Sequence, residues 1–198
     1  MQDDAYLKCI DPNCGLEYPI TSTNVQCEHG HLLDVKYKNK PSTSLKEIFY
    51  KRRNPQGNIF NESGVWRFRE LLNFCQIDTE NIEECSKYLV SLDGAEGRLS
   101  KPYRMSKAAE LIGTSNDNLW LQPEGYNPSG SFKDNGMATA VTHAKMVGAK
   151  KIVCASTGNT SAAAGMFAAN EGINCDVYIP AGQIAPGKLS QAYQFGAQ

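Results

Sequence analysis

A short apolar run, Lys151-Ile152-Val153-Cys154-Ala155, leads through the polar turn Ser156-Thr157-Gly158-Asn159-Thr160-Ser161 into an alanine-rich stretch, Ala162 to Ala169. That order constrains the fold more than any other feature of the chain. The first run has the length and β-branched content of a buried strand. The alanines have the strongest intrinsic preference for helix. A strand, a tight turn with a glycine and a helix form the unit that presents ligands at the carboxyl end of the strand. The pattern then repeats. Asp176 to Pro180 reads as a strand, Gly187 to Tyr193 as a helix, and Phe195-Gly196-Ala197-Gln198 as the turn entering another strand. Such alternation predicts an α/β fold, a parallel sheet with flanking helices.

A second turn precedes this unit. Asn127-Pro128 and Ser129-Gly130 are turn-forming pairs, and Ser131-Phe132-Lys133-Asp134 follows. From Lys133 to Val147 the spacing of Met137, Val141, Ala144 and Val147 predicts an amphipathic helix. Lys133 then stands at a helix N-terminus, beside unpaired backbone N–H groups and the positive end of the helix dipole. That setting favours imine formation with a carbonyl cofactor, and the same N–H groups suit a phosphate. The turn at 156–161 offers hydroxyls, an amide and free N–H groups to a carboxylate, a phenolate or a phosphate. The alternatives are a solvated lysine in the first case and an ordinary helix capped by Ser156 or Thr157 in the second.

Together the Ser-Phe-Lys-Asp and Ser-Thr-Gly-Asn-Thr segments resemble the signatures of pyridoxal-phosphate enzymes of the tryptophan synthase β-subunit type (fold type II). Within that group the chain is most similar to the threonine synthase family. The resemblance rests on Ser44 to Phe49, on Gly64-Val65-Trp66-Arg67-Phe68-Arg69 and on Gly187-Lys188-Leu189-Ser190-Gln191-Ala192. Two departures stand out. Asn135 replaces an arginine that often follows the aspartate, and the run Leu92 to Gly97 differs from the family's usual loop.

The resemblance implies a lyase that converts O-phospho-L-homoserine and water to L-threonine and phosphate, the last step of threonine biosynthesis. It implies that Lys133 holds pyridoxal 5'-phosphate as a Schiff base and later moves protons at the substrate's Cα and Cβ. It implies that Asn159 bonds the cofactor's phenolate oxygen and that Phe132 walls its ring, with a core role for Phe132 equally open. Ser156, Thr157, Gly158, Thr160 and Ser161 are the expected carboxylate-binding turn. Lys188 is a candidate for the substrate phosphate, with a solvated lysine as the alternative. The relatives implied are about twice as long, and no cofactor phosphate loop is found in this chain. Residues 39–198 are therefore expected to be an incomplete, N-terminal part of the catalytic fold, impaired by itself. The alternatives are a threonine dehydratase, a cysteine or cysteate synthase, or a non-catalytic fragment.

Composition closes other classes. The chain has 198 residues, 41% hydrophobic, with 20 basic and 21 acidic side chains and a net charge of -1. That balance leaves no nucleic-acid footprint. No apolar run approaches the roughly 18 residues of a membrane span, and Met1-Gln2-Asp3-Asp4 is no secretory signal. A cytoplasmic enzyme acting on a small-molecule substrate is expected, with a homodimer as one open assembly. Of seven cysteines, Cys75, Cys85, Cys154 and Cys175 fall in expected helix or strand and read as reduced core residues.

The other three cysteines gather in residues 1–38. Cys9 and Cys14 are separated by four residues, and Cys27 is followed by His29 and His31. Three thiolates and an imidazole can make a tetrahedral zinc site. Related enzymes carry paired-cysteine knuckles here, so the layout resembles a zinc ribbon, a small β-ribbon turning through Thr21 to Asn24. Cys9, Cys14, Cys27 and either His29 or His31 are the candidate ligands of a structural zinc. An unmetallated ribbon packed on the main domain is the alternative. Helices are expected at Ser44 to Arg53, at Gly64 to Cys75 with Trp66 buried, and at Arg104 to Gly113. Leu119 to Gln122 is expected as a strand, and residues 54–57 as a loop.

Overall fold

A computed structural model describes residues 5–38, 45–54, 57–72, 87–97, 103–115, 117–180 and 186–198. Cys75, Cys85, Ser44 and the middle of the 54–57 loop lie outside these residues, as does the side chain of Lys188.

The N-terminal segment is a three-stranded antiparallel sheet. Strand β1 (Ala5–Cys9) lies between β2 (Glu17–Pro19) and β3 (Leu33–Tyr37). The first reversal occurs at residues 10–16, earlier than the expected turn at Thr21 to Asn24. There Cys9 N donates to Leu16 O at 3.0 Å, and Gly15 adopts a φ of 68°. Only a residue without Cβ enters that conformation at low cost. The segment from 20 to 32 is a second loop, closed by a bridge between Gln26 and Leu32.

Helix α1 (Leu45–Lys51) and the short α2 (Ile59–Glu62) precede a 3-10 helix, Trp66–Leu71. Asn58 caps α2, its side chain accepting from Phe60 N and Asn61 N. The expected helix from Gly64 is thus tighter and begins later. A Cβ on Gly64 would lie 1.6 Å from Gly97 O, and Gly64 N donates to Glu96 O at 2.9 Å. The close approach fixes the entry to the 3-10 turn.

Trp66 is 1% exposed, as expected, and its Nε1 donates to Val90 O at 2.7 Å. Tyr103–Arg104 forms strand β4 rather than the start of a helix, pairing antiparallel with β5 (Trp120–Leu121). Helix α3 (Ser106–Leu111) begins only after it. Gly113, at a φ of 72°, lies just past its end, as the sequence predicts.

The alternating unit follows. Helix α4 (Lys133–Met146) leads to β6 (Lys151–Ala155), α5 (Asn159–Asn170), β7 (Asn174–Tyr178) and α6 (Pro186–Gln194). Strands β6 and β7 are parallel, with Lys151 opposite Asn174 and Ala155 opposite Tyr178. Gln198 joins the other edge of β7, since Gln198 N donates to Cys175 O and Val177 N to Gln198 O.

Strand β6 departs from the buried strand that its composition predicts. Lys151, Val153 and Ala155 are exposed while Ile152 and Cys154 are partly covered. Helix α5 packs on both strands, and the alternate positions of β6 stay exposed among the described residues, so alternation replaces full burial.

The core has two lobes. Trp66, Leu89, Val90, Ala138, Val141 and Phe167 form one, and Ala164, Ala168, Cys175, Ala192 and Ala197 the other. Met137, Ile152 and Ile173 touch both. Thr142 of α4 links the first lobe to the backbone, accepting from Val90 N and donating to Ala138 O. Cys154 and Cys175 are free thiols in this packing, and burial raises the thiol pKa of both. The three-stranded sheet is tied to α4 as well, because His143 Nε2 donates to Ile20 O at 2.8 Å.

Candidate active site

Short connections place the two sequence turns at one edge of the sheet. Residues 147–150 return α4 into β6, and residues 156–158 return β6 into α5, while α4 and α5 pack on each other. A helix of this length spans about 21 Å and a five-residue strand about 17 Å. Both helices therefore run back along the strand, and both N-termini meet its carboxyl end.

The lysine turn is held from several sides. Gly130, at a φ of 77°, donates its N–H to Asn127 O at 2.7 Å. Asn127 is 7% exposed. Its Nδ2 donates to Ser131 O at 3.0 Å and to Glu124 Oε2 at 2.8 Å, and its Oδ1 accepts from Gly97 N at 2.7 Å. Asp134 is fully buried; its carboxylate accepts from Ser129 N at 2.7 Å and from Ser129 Oγ. Lys133 itself is half-buried. Its Nζ sits over the Phe132 ring, 4.7 Å from the centroid. Phe132 is 56% exposed and does not pack in the core described here; its ring lies beside the amine.

At the second turn Gly158 is the N-cap of α5, and no side chain caps the helix. The capping by Ser156 or Thr157 that the alternative of an ordinary helix start requires is absent. Ser156 Oγ accepts instead from Gly158 N at 3.3 Å. The first N–H groups of α5 are thereby left for an anion. Asn159 is exposed, Ser156, Thr157, Gly158 and Thr160 are half-buried, and Ser161 is fully buried with its hydroxyl donating to Gly158 O at 2.6 Å. Lys188 lies in the first turn of α6. A primary amine, an exposed amide and uncapped N–H groups at one edge fit a carbonyl cofactor and the carboxylate of an amino-acid substrate.

The Trp66-Arg67-Phe68-Arg69 segment is structural where it is described. Arg67 and Arg69 are 7% and 3% exposed. Arg67 Nε donates to Asn61 O, and Arg69 Nη1 to Asn61 Oδ1 and Trp66 O. Arg52, just past the end of α1, binds Arg67 O at 2.6 Å and forks onto the Glu70 carboxylate. Desolvation lowers the Arg69 pKa to about 10, with the Arg52 charge acting the same way. Sequence reasoning missed Asp134, Asn127 and Ser129 as parts of the site. Their signal was present, since all three lie within the lysine motif.

The cysteine cluster converges. Cys9 Sγ lies 3.7 Å from Cys27 Sγ and 3.7 Å from His31 Nδ1, and Cys14 Sγ lies 3.9 Å from Cys27 Sγ. All four ligand atoms fall within 4.8 Å of one another. A tetrahedral ion with Zn–S bonds of about 2.3 Å needs sulfur pairs about 3.8 Å apart. His29 stands outside this set, its Nδ1 3.3 Å from Cys14 Sγ. Burial pushes the Cys9 thiol up to about 11. Burial also acts to raise the Cys27 pKa, but backbone bonds from His31 and His29, together with the Cys9 and Cys14 thiols, outweigh it and hold that thiol below its ordinary value.

The chain is similar in sequence to known proteins. A family described as pyridoxal-phosphate dependent enzyme matches residues 101–198. The threonine synthase of Methanocaldococcus jannaschii is 35% identical over 192 residues, 96% of this chain and 42% of that protein. That of Methanosarcina acetivorans is 36% identical over 194 residues, 98% of this chain and 41% of its own length. That of Mycobacterium leprae reaches 58% over 80 residues, 40% of this chain and 22% of its own. A solved O-ureido-L-serine synthase aligns over 40% of this chain and 26% of its own, with a TM-score of 0.38 and 24% identity, a likeness too slight to bear on the fold. The chain spans about two fifths of the length of the first two relatives. No helix among the described residues is long and apolar enough to cross a membrane.

Proposed function

From the match of residues 101–198 to the pyridoxal-phosphate dependent enzymes, we propose that the chain belongs to that family, that Lys133 is its cofactor lysine and that it carries a threonine synthase activity. The observation that supports the activity most is the similarity to two threonine synthases along nearly the whole chain. The substrate on this reading is O-phospho-L-homoserine, and the products are L-threonine and phosphate.

Pyridoxal phosphate, when bound, supplies an electron sink for charge developed at the substrate's Cα. The protein's own groups do the rest. Lys133 Nζ, which lies over the Phe132 ring, takes and returns protons at Cα and Cβ. The exposed Asn159 amide donates to the cofactor's phenolate oxygen. The open N–H groups of α5 and the hydroxyls of Ser156, Thr157 and Thr160 hold the substrate carboxylate. Ser161 acts behind them, fixing the Gly158 carbonyl. Lys188 is the proposed contact for the substrate phosphate.

The protein expressed from its complete reading frame tests this. Phosphate release from O-phosphohomoserine with threonine as product is the expected result. Ammonia release from threonine without that activity would point instead to a dehydratase.

A structural zinc at Cys9, Cys14, Cys27 and His31 completes the reading. A sheet of this size buries too little apolar surface to hold its loops unaided. Metal analysis should find about one zinc per chain, lost in Cys9→Ser and His31→Ala and kept in His29→Ala. Unchanged metal content in Cys14→Ser would sink the assignment.

A further inference from the structure

Helix α6 touches both halves of the proposed site. On one side Ala192, 3% exposed, packs with Ala164 and Ala168 of α5. A Cβ on Gly165 would lie 3.6 Å from Ala192 O and 3.3 Å from Ala197 Cβ, so α5 lies close against α6 and the turn after it, with room for little more than a methyl. One residue earlier, Gln191 Nε2 donates to Ser129 O at 2.8 Å. Ser129 stands four residues before Lys133 and is 6% exposed. Its other two polar groups, N and Oγ, are both held by Asp134. The Asn159 turn opens α5, and the Ser129 turn opens α4.

We propose that Gln191 is a positioning residue, which keys the lysine turn to α5 and so sets the place of Lys133 against Asn159. The inference rests on the reading of Lys133 as the cofactor lysine. Gln191 touches neither cofactor nor substrate in this account. It acts through Ser129. An amide suits this role because it donates to a carbonyl, whereas a carboxylate of the same shape would set an acceptor against an acceptor. The long tie matters because the Ser129–Asp134 bonds are local, closing the turn on itself without fixing its position relative to α5.

The test uses Gln191→Glu and Gln191→Met in the protein expressed from its complete reading frame. Methionine keeps the arm's length and helix preference while removing the donor, so it decides the matter if the glutamate variant does not fold. Purified apoprotein is mixed with pyridoxal phosphate. The rate at which the lysine-bound absorbance band grows and the circular dichroism of that band are followed, with the urea midpoint measured alongside. Both variants should load about tenfold more slowly, near the worth of one hydrogen bond, with a weakened dichroic band. Loading at the parent rate with the parent dichroism, and only a lower urea midpoint, would make Gln191 a purely structural tie and overturn the inference. A parent protein that forms no lysine-bound band overturns the cofactor assignment itself, and the inference with it.

Discussion

Asp134 gives the sharpest prediction about how the lysine turn is held. Its carboxylate is fully buried and accepts two hydrogen bonds from Ser129, one from N at 2.7 Å and one from Oγ. Asp134→Ala leaves a buried N–H and a buried hydroxyl without their partner. Each orphaned group costs about 1–3 kcal/mol, partly offset because a buried charge is no longer desolvated. A net loss of about 3 kcal/mol is expected. Asp134→Asn keeps an acceptor for Ser129 N and turns an N–H toward an oxygen that can also accept, so about 1–2 kcal/mol should be lost. Urea unfolding reads both, as a lower midpoint at unchanged slope. Ser129→Ala combined with Asp134→Ala should be less damaging than the sum of the two, since both remove the same bond. An alanine variant within about 0.5 kcal/mol of the parent, or an asparagine variant as damaged as the alanine, would refute the reasoning.

Two further predictions concern the packing under the site. Glu70 is held below the usual carboxylate range: burial opposes this, but the Arg52 fork outweighs it. A depressed carboxylate stabilises above its unfolded pKa, about 4.3, and that contribution is lost as pH falls through the folded value. Acid unfolding followed by tryptophan fluorescence should therefore show a step in the parent that Glu70→Gln lacks, with the variant less stable at neutral pH. Gly64→Ala drives a methyl into the Gly97 carbonyl, 1.6 Å away, where only backbone can yield. Thermal melting should show a drop of several degrees or more, as for a loss of about 2 kcal/mol or beyond in a domain of this size, while Gly158→Ala, with nothing within 4 Å of its Cβ, should leave the melt nearly unchanged.

The alternating unit was legible from the sequence because β6, α5 and the lysine helix each carry their own local signal. Gly130, Gly158 and the alanines of α5 need no distant partner to declare a turn or a helix. Burial was less legible. The run at 151–155 has the composition of a strand covered on both faces, and composition cannot say which neighbours a chain segment brings. The start of α3 was misplaced because Tyr103-Arg104 pairs with Trp120-Leu121, a contact between segments distant in the chain that no local pattern records. In the site, Lys133 and Asn159 stood out by motif, but the roles of Asp134 and Gln191 depend on which carbonyl or N–H each one meets. The choice between His29 and His31 was equally hidden. Both follow Cys27 closely, and only the fold turns one toward Cys14 and the other toward Cys9.

The central claim is that Lys133 carries the cofactor. Borohydride reduction of the protein loaded with pyridoxal phosphate, followed by digestion and mass spectrometry, tests it most directly. A phosphopyridoxyl group is expected on the peptide containing Lys133, and none there in Lys133→Ala. Label on another lysine with Lys133 unmodified would contradict it.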